Sequence, residues 1–486
     1  MSIGMFGSGP AVRAAFCLGL AGVAAPVFAQ DGDPMVISDE GPITVRAHLQ
    51  GGINAVAETN LFWNLSDIFA AQEKFNPDKQ WLEFYIKPGV SFTTNGDGPV
   101  RVYGKVSGVA AYTQGTDAFD FTNQGAVTLE EAYGGIAVDA GNGVGVDVSV
   151  GARELKLGTG MLIATGGSSG FELGALKFGP RKAWDMSAIV TISKGGTKFT
   201  GFFLNPNERP AIENKNRLVG GDLRHDFESG GFVGGTFVAV TRSATPYVQA
   251  APGGIGAPAI LVGARDGTDT LNLYARTGKL GGAFENWVFA IDGAYQWNKR
   301  LDMSSWAGRV QVAYTFASSP WRPTLSYSYQ TFSGDDPDTP GLERFDPLFY
   351  EGSPNAWSTG SKSSMVFINS NVRAHAFSAS VQPSPRDTVT LRYSRIGANE
   401  LRSPLQFGQA ARVDVGQNGE LPNIVAGVTA HHVSDDIYLE YNRIITRNLF
   451  LSAGAAISEP GEGIEKVVPG GVPAWTGGYV NLVFNF

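Results

Sequence analysis

Apolar and polar side chains alternate along most of this chain. Leu82, Phe84 and Ile86 fall on one side, and Trp81, Glu83, Tyr85 and Lys87 on the other. Val102, Val106 and Ala110 oppose Arg101, Tyr103, Lys105 and Ser107. The clearest stretch sets Trp287, Phe289, Ile291, Tyr295 and Trp297 on one face, aromatic at both ends, with Asp292 and Gln296 opposite. Val310, Val312, Tyr314 and Phe316 oppose Arg309, Gln311 and Thr315, and Leu325, Tyr327 and Tyr329 oppose Ser326, Ser328 and Gln330. Val389, Leu391 and Tyr393 oppose Thr390, Arg392 and Ser394, while Ile437, Leu439 and Tyr441 oppose Asp436, Tyr438, Glu440 and Asn442. At 479–486, Val480, Leu482, Phe484 and Phe486 share a face against Tyr479, Asn481 and Asn485. A period of two is the mark of a strand with one apolar and one polar face.

Two architectures accept many such strands: a soluble sandwich and a membrane barrel. The repeated Trp or Tyr at strand ends favours the barrel, whose apolar face meets lipid, whose polar face lines a lumen, and whose aromatics sit at the two interfaces. The final aromatic strand is similar to the closing strand of bacterial outer-membrane barrels. The expectation is therefore an all-β fold, a transmembrane antiparallel β-barrel. At roughly 25 residues per strand and connection, it has about 18 strands, wide enough for an aqueous channel. It must close, because an open sheet edge is unsatisfied in hydrocarbon.

Short joints such as 442–448 read as periplasmic turns. Longer Gly/Pro/Ser stretches at 247–269, 333–355, 399–423 and 459–472 read as outer loops. Residues 30–42 lead into a first strand near 43–49, and no separate plug domain is expected. At the other end, Arg13 is the only charged residue among the first 30, followed by an apolar stretch from Ala14 to Ala25 and a Val27-Phe28-Ala29 pattern. That predicts a signal peptide over 1–29 and an outer-membrane barrel over 30–486.

Composition narrows the function classes. Hydrophobic content is 43%, with 64 glycines and 11% aromatics, which suits strands and turns better than a helical core. No segment offers the run of about 18 apolar residues that a spanning helix needs. Cys17, the only cysteine, falls in the leader, so neither cysteine catalysis nor a cysteine metal site is expected. The net charge of −8 argues against a nucleic-acid partner.

Two stretches go beyond a generic barrel. Val150-Gly151-Ala152-Arg153-Glu154-Leu155-Lys156-Leu157-Gly158 is one. Ser333-Gly334-Asp335-Asp336, followed by Arg344-Phe345-Asp346-Pro347-Leu348-Phe349-Tyr350, is the other. They resemble the "G-R-Q-x-L-x-L-G" strand and the "G-D … F-x-P-L-F" loop of the alginate-export family of outer-membrane proteins. The resemblance implies a monomeric barrel of about 18 strands that passes an acidic polysaccharide outward, with periplasmic export components as possible partners.

A polyuronate carries one carboxylate per sugar, so its conduit needs positive charge spread over several weak sites. Arginine suits this because its planar fork meets carboxylates bidentately and stays charged. The chain has 23 Arg and 14 Lys. Alternation places Arg101, Lys105, Arg309 and Arg392 on the polar, lumen side, with Arg46 and Arg276 as further candidates. Arg153 and Lys156 fall in one strand at opposite parity, and the motif favours Arg153. These charges fit a general small-solute porin or uptake channel as well, and a structural or adhesive barrel is a third reading. Asp335, Asp336 and Asp346 belong to an acidic loop that could fold inward as a gate. Its carboxylates are also a candidate Ca2+ site; no other cofactor is expected.

Other signals carry little. Gly166-Gly167-Ser168-Ser169-Gly170 matches G-x-S-x-G, but a nucleophile elbow needs a strand–turn–helix setting, so this reads as a flexible loop. The five histidines lack metal-binding spacing, and His375 lies near Ser370 and Ser378 in a serine-rich region. No enzyme activity is expected.

Overall fold

A computed structural model describes residues 35–39, 41–65, 75–96, 98–209, 212–351, 368–406, 424–425, 427–466 and 470–486. The expected signal peptide lies outside the described residues. The regular secondary structure of these residues is almost entirely strand. In chain order, β1 (Ile43–Thr59), β2 (Lys79–Thr94), β3 (Val100–Gly115), β4 (Gly125–Asp139), β5 (Val144–Arg153) and β6 (Trp184–Lys194) form the first third of a sheet. β7 (Thr197–Asn205), β8 (Arg217–Asp226), β9 (Phe232–Arg242), β10 (Thr268–Arg276), β11 (Trp287–Asn298) and β12 (Ser304–Thr315) continue it. β13 (Thr324–Phe332), β14 (Val372–Ser384), β15 (Asp387–Ala398), β16 (His432–Thr446), β17 (Leu449–Pro460) and β18 (Trp475–Asn485) complete it.

Each strand pairs antiparallel with its sequence neighbour, and β18 pairs with β1, so the sheet closes on itself. At the seam Asn481 is opposite Asn54, and the Leu49 and Phe486 backbones exchange hydrogen bonds of 3.0 and 2.9 Å. A short strand, Met35–Ser38, pairs alongside the start of β1. Gly51 is required at this seam: a Cβ there would sit 2.5 Å from Cζ of Phe484.

The faces are inverted relative to a soluble protein. Leu273, Ile291, Leu391, Leu439 and Val480 are exposed on the outside, whereas Asn54, Glu83, Ser107, Asn272, Asp292, Gln296 and Asn481 are buried inside. An apolar outer band has no solvent partner but lipid. Aromatic rings mark its two edges: Trp287 packs on Tyr314 at 4.9 Å near the short-turn end, and Tyr295 stacks on Trp297 at 6.0 Å near the long-loop end.

The alternating segments lie in strands, apart from Phe316 and Phe486, each one residue past a strand end, and the structure corrects a further boundary. β5 ends at Arg153, so Lys156 is not in a strand with it. The chain turns inward there because the lumen wall offers partners for its backbone.

Candidate functional site

A segment outside the strands, 154–183, crosses the lumen. Backbone outside helix or strand is tolerated at membrane depth only where protein or a water-filled cavity satisfies it. Carboxylates on the wall do this here. Glu83 on β2 accepts from the backbone N–H of Lys177 at 2.8 Å and of Phe178 at 3.1 Å. Glu130 on β4 accepts from Lys182 and Ala183 at 2.7 and 3.0 Å. Thr113 on β3 accepts from Ala175 at 2.9 Å, and the Phe178 ring packs on Tyr85 at 4.8 Å. Arg181 donates to Thr128 and to the Ala126 carbonyl, and burial lowers the pKa of its guanidinium.

The segment's other end reaches the far wall. Thr159 bonds Asp292 on β11, and Met161 sits 3.5 Å from the Asn272 amide on β10. Gly158 turns the chain at φ 56° against Tyr274, where a Cβ would lie 2.7 Å from the ring. Gly166-Gly167-Ser168-Ser169-Gly170 belongs to this segment and is packed rather than flexible: Ser169 is buried, and a Cβ at Gly166 would strike Trp184.

A second segment, 333–351, packs on the first. Ile163 bridges Phe349, whose ring lies 5.2 Å from Trp184. Phe345 and Leu348 are fully buried beside it. The three candidate gate acids lie here. Asp335 is 1% exposed and accepts from the Tyr247 hydroxyl at 2.7 Å and the Ala250 N–H at 2.6 Å. Burial and that carboxylate raise the Tyr247 pKa well above its ordinary value. Asp346 receives both arms of Arg265, at 2.6 and 2.7 Å. Asp336 caps Asp338 at 2.9 Å. Asp335 and Asp346 are thus occupied by protein donors, and among the described residues no group of three or more His, Asp or Glu is placed to hold a metal ion.

The candidate wall cations fall on inward-facing positions. Arg46 and Lys105 flank Ser91 in one row across β1, β2 and β3. Lys105 pairs with Glu131 at 2.7 Å, and Arg309 with Asp292 at 2.7 Å. Arg153 stands over the Tyr133 ring at 4.8 Å and donates to Tyr103 at 3.3 Å. Arg392 is buried, 6.0 Å from the Tyr438 ring, and Arg276 is half-buried on β10. Arg46 and Arg101 make no ion pair among the described residues. Arg46, Arg101, Lys105 and Arg153 therefore cluster on one wall, whereas Arg276, Arg309 and Arg392 are dispersed elsewhere.

An expectation built on arginine overlooked a mixed-charge node. Lys87 lies 2.5 Å from Glu154, 3.4 Å from Glu130 and 4.0 Å from Glu131. Burial alone would raise the Glu154 pKa, yet Lys87 holds it below the usual value. The alternation had placed Glu83 and Lys87 on the polar face; their convergence with Glu130 and Glu154 depends on strand pairing and on the inward turn. His375 faces outward and contacts the Tyr327 hydroxyl at 2.9 Å, while Ser378 faces inward to Ser326, so these two do not form a dyad.

Residues 264–469 match the family model described as Alginate export. No curated protein matches the sequence. Among solved structures, OccAB2 of Acinetobacter baumannii aligns over 91% of this chain and 98% of its own, at 10% identity and a TM-score of 0.52. OccK11 (OpdR) of Pseudomonas aeruginosa aligns over 91% and 96%, at 10% identity and 0.52. OccAB1 of Acinetobacter baumannii aligns over 94% and 100%, at 8% identity and 0.52. At such identities the likeness is one of fold: a closed outer-membrane barrel.

Proposed function

We propose that this bacterial outer-membrane channel, whose residues 264–469 match the Alginate export family model, passes an anionic polysaccharide of the polyuronate kind. Movement is passive and outward, the polymer being delivered by periplasmic export components, and no residue is assigned a catalytic role. The observation that carries the reading is the cluster Arg46, Arg101, Lys105 and Arg153 on one wall, two of whose members lack a counter-ion among the described residues. Several separated cations attract a polyanion, and mixed pairing weakens each site enough for release. Tyr103 and Tyr133 beside Arg153 add flat surfaces against which a sugar ring can slide.

A second reading is a channel for small anionic solutes, and the crossing segment 154–183 favours it because that segment narrows the lumen. Single-channel conductance with reversal potentials separates the two. Anion selectivity with block by polyuronate, but not by a neutral glucan, is expected. Block by monomeric uronate alone would shift the assignment to small solutes, and indifference to both would overturn it.

A further inference from the structure

Two arginines oppose each other on the outside of the barrel. A register shift between Val240 and Arg242 on β9 sets Arg242 opposite Arg217 on β8. Directly opposed residues have Cβ atoms about 5 Å apart, and like charges at that spacing repel. Both side chains are exposed. Leu218, next to Arg217, and Ser243, next to Arg242, are buried, and Ser243 donates to Asn216 at 2.6 Å on the inner face, so the pair points outward. Two other cations at this rim are held by acids: Lys299 by Asp269 at 2.9 Å and Arg300 by Asp266 at 2.5 Å. Arg217 and Arg242 have no such partner among the described residues. Lys215, two residues before Arg217, is exposed as well.

The position of the pair points to its partner. It lies at the long-loop end of its strands, and the outward face beneath it is apolar, with Leu223, Val233, Phe237, Leu271 and Leu273 exposed. Trp297 packs on Phe237 at 6.2 Å on that face, at the level where aromatics mark a membrane interface. A ligand here has chains that lie on the wall and an anionic head between the guanidiniums.

We propose that Arg217 and Arg242 form a binding site for the phosphate of a phosphorylated glycolipid of the outer leaflet. Two guanidinium forks present parallel N–H donors to phosphate oxygens, the geometry for which arginine is best suited, and a bound phosphate turns the repulsion into attraction. The site is independent of the lumen and of what passes through it.

The test is native mass spectrometry of the purified barrel in detergent with diphosphoryl lipid A, fully dephosphorylated lipid A, or inorganic phosphate. Wild type is expected to retain one diphosphoryl lipid more tightly than the dephosphorylated form, with inorganic phosphate a poor competitor. The R217Q/R242Q variant should lose at least about 10-fold in retention, while R217K/R242K keeps part of it; heat-modifiable migration reports folding. Equal retention by R217Q/R242Q, or of both lipids by wild type, would overturn the site. Displacement by inorganic phosphate would overturn the lipid as its ligand. Should R217Q/R242Q fail to fold, the comparison of the two lipids on wild type still decides.

Discussion

Glu83 and Asp292 stand on opposite walls of the barrel, nine strands apart in the ring, and the same segment is bonded to both. The segment's span is therefore set by two wall carboxylates, one taking backbone N–H groups and the other a threonine hydroxyl.

Glu83 also accepts from Trp81 at 2.8 Å and Asn54 at 3.4 Å, so every near neighbour is a donor. The Glu83→Gln change turns an amide NH2 toward those donors and should weaken the segment's hold by about 1–3 kcal/mol. Single-channel recordings are expected to show a larger or more frequently fluctuating conductance. A trace identical to wild type would mean that Glu83 does not hold the segment in place.

Arg265 is 3% exposed, and Asp346 neutralises it. Removing one partner of a buried pair costs about 3–5 kcal/mol because the other charge is stranded. The Asp346→Asn variant should expose segment 333–351 to protease while the barrel strands stay resistant. Limited proteolysis read by mass spectrometry checks this.

Arg46 and Arg101 are the wall cations best placed to set ion selectivity. Their joint replacement by Gln should lower the anion-to-cation permeability ratio, most clearly near 0.01 M salt, where the Debye length is about 30 Å. Replacing Arg309 should push selectivity in the same direction by a different route, since Asp292 loses its cation. Unchanged reversal potentials in both variants would remove these residues from the conduction path.

Asp117 sits fully buried in loop 116–124 and accepts from the backbone N–H of Phe119 and Phe121. Burial, aided by the nearby Glu83 charge, raises its pKa to about 7 despite those bonds and Lys79. The folded loop thus favours the protonated acid. Its stabilising contribution is complete below the ordinary value of 3.8 and is lost as pH rises through about 7. Protection factors of the loop amides should fall between pH 5 and pH 8, and Asp117→Asn should flatten that dependence.

Some of this was legible in the residues themselves. The alternation at 287–297 and 479–486 marks strands because side-chain period reports backbone geometry directly, and apolar faces ending in Trp or Tyr mark a membrane wall. The inward parity of Arg101, Lys105 and Arg309 follows from the same period. The path of 154–183 was not legible: Arg153 through Gly158 keeps a strand-like rhythm, and nothing local announces that Glu83 and Glu130, dozens of residues earlier, will capture its backbone.

Sequence by itself determined that this chain is a closed, lipid-facing barrel, since that conclusion needs only period, face chemistry and aromatic placement. Tertiary structure alone decided what the charges do. Lys105 meets Glu131, Asp335 is sealed beneath Tyr247, and Arg217 faces Arg242 across two strands. Whether a charge is free or neutralised depends on strand register and inward folding, which bring together residues far apart in the chain.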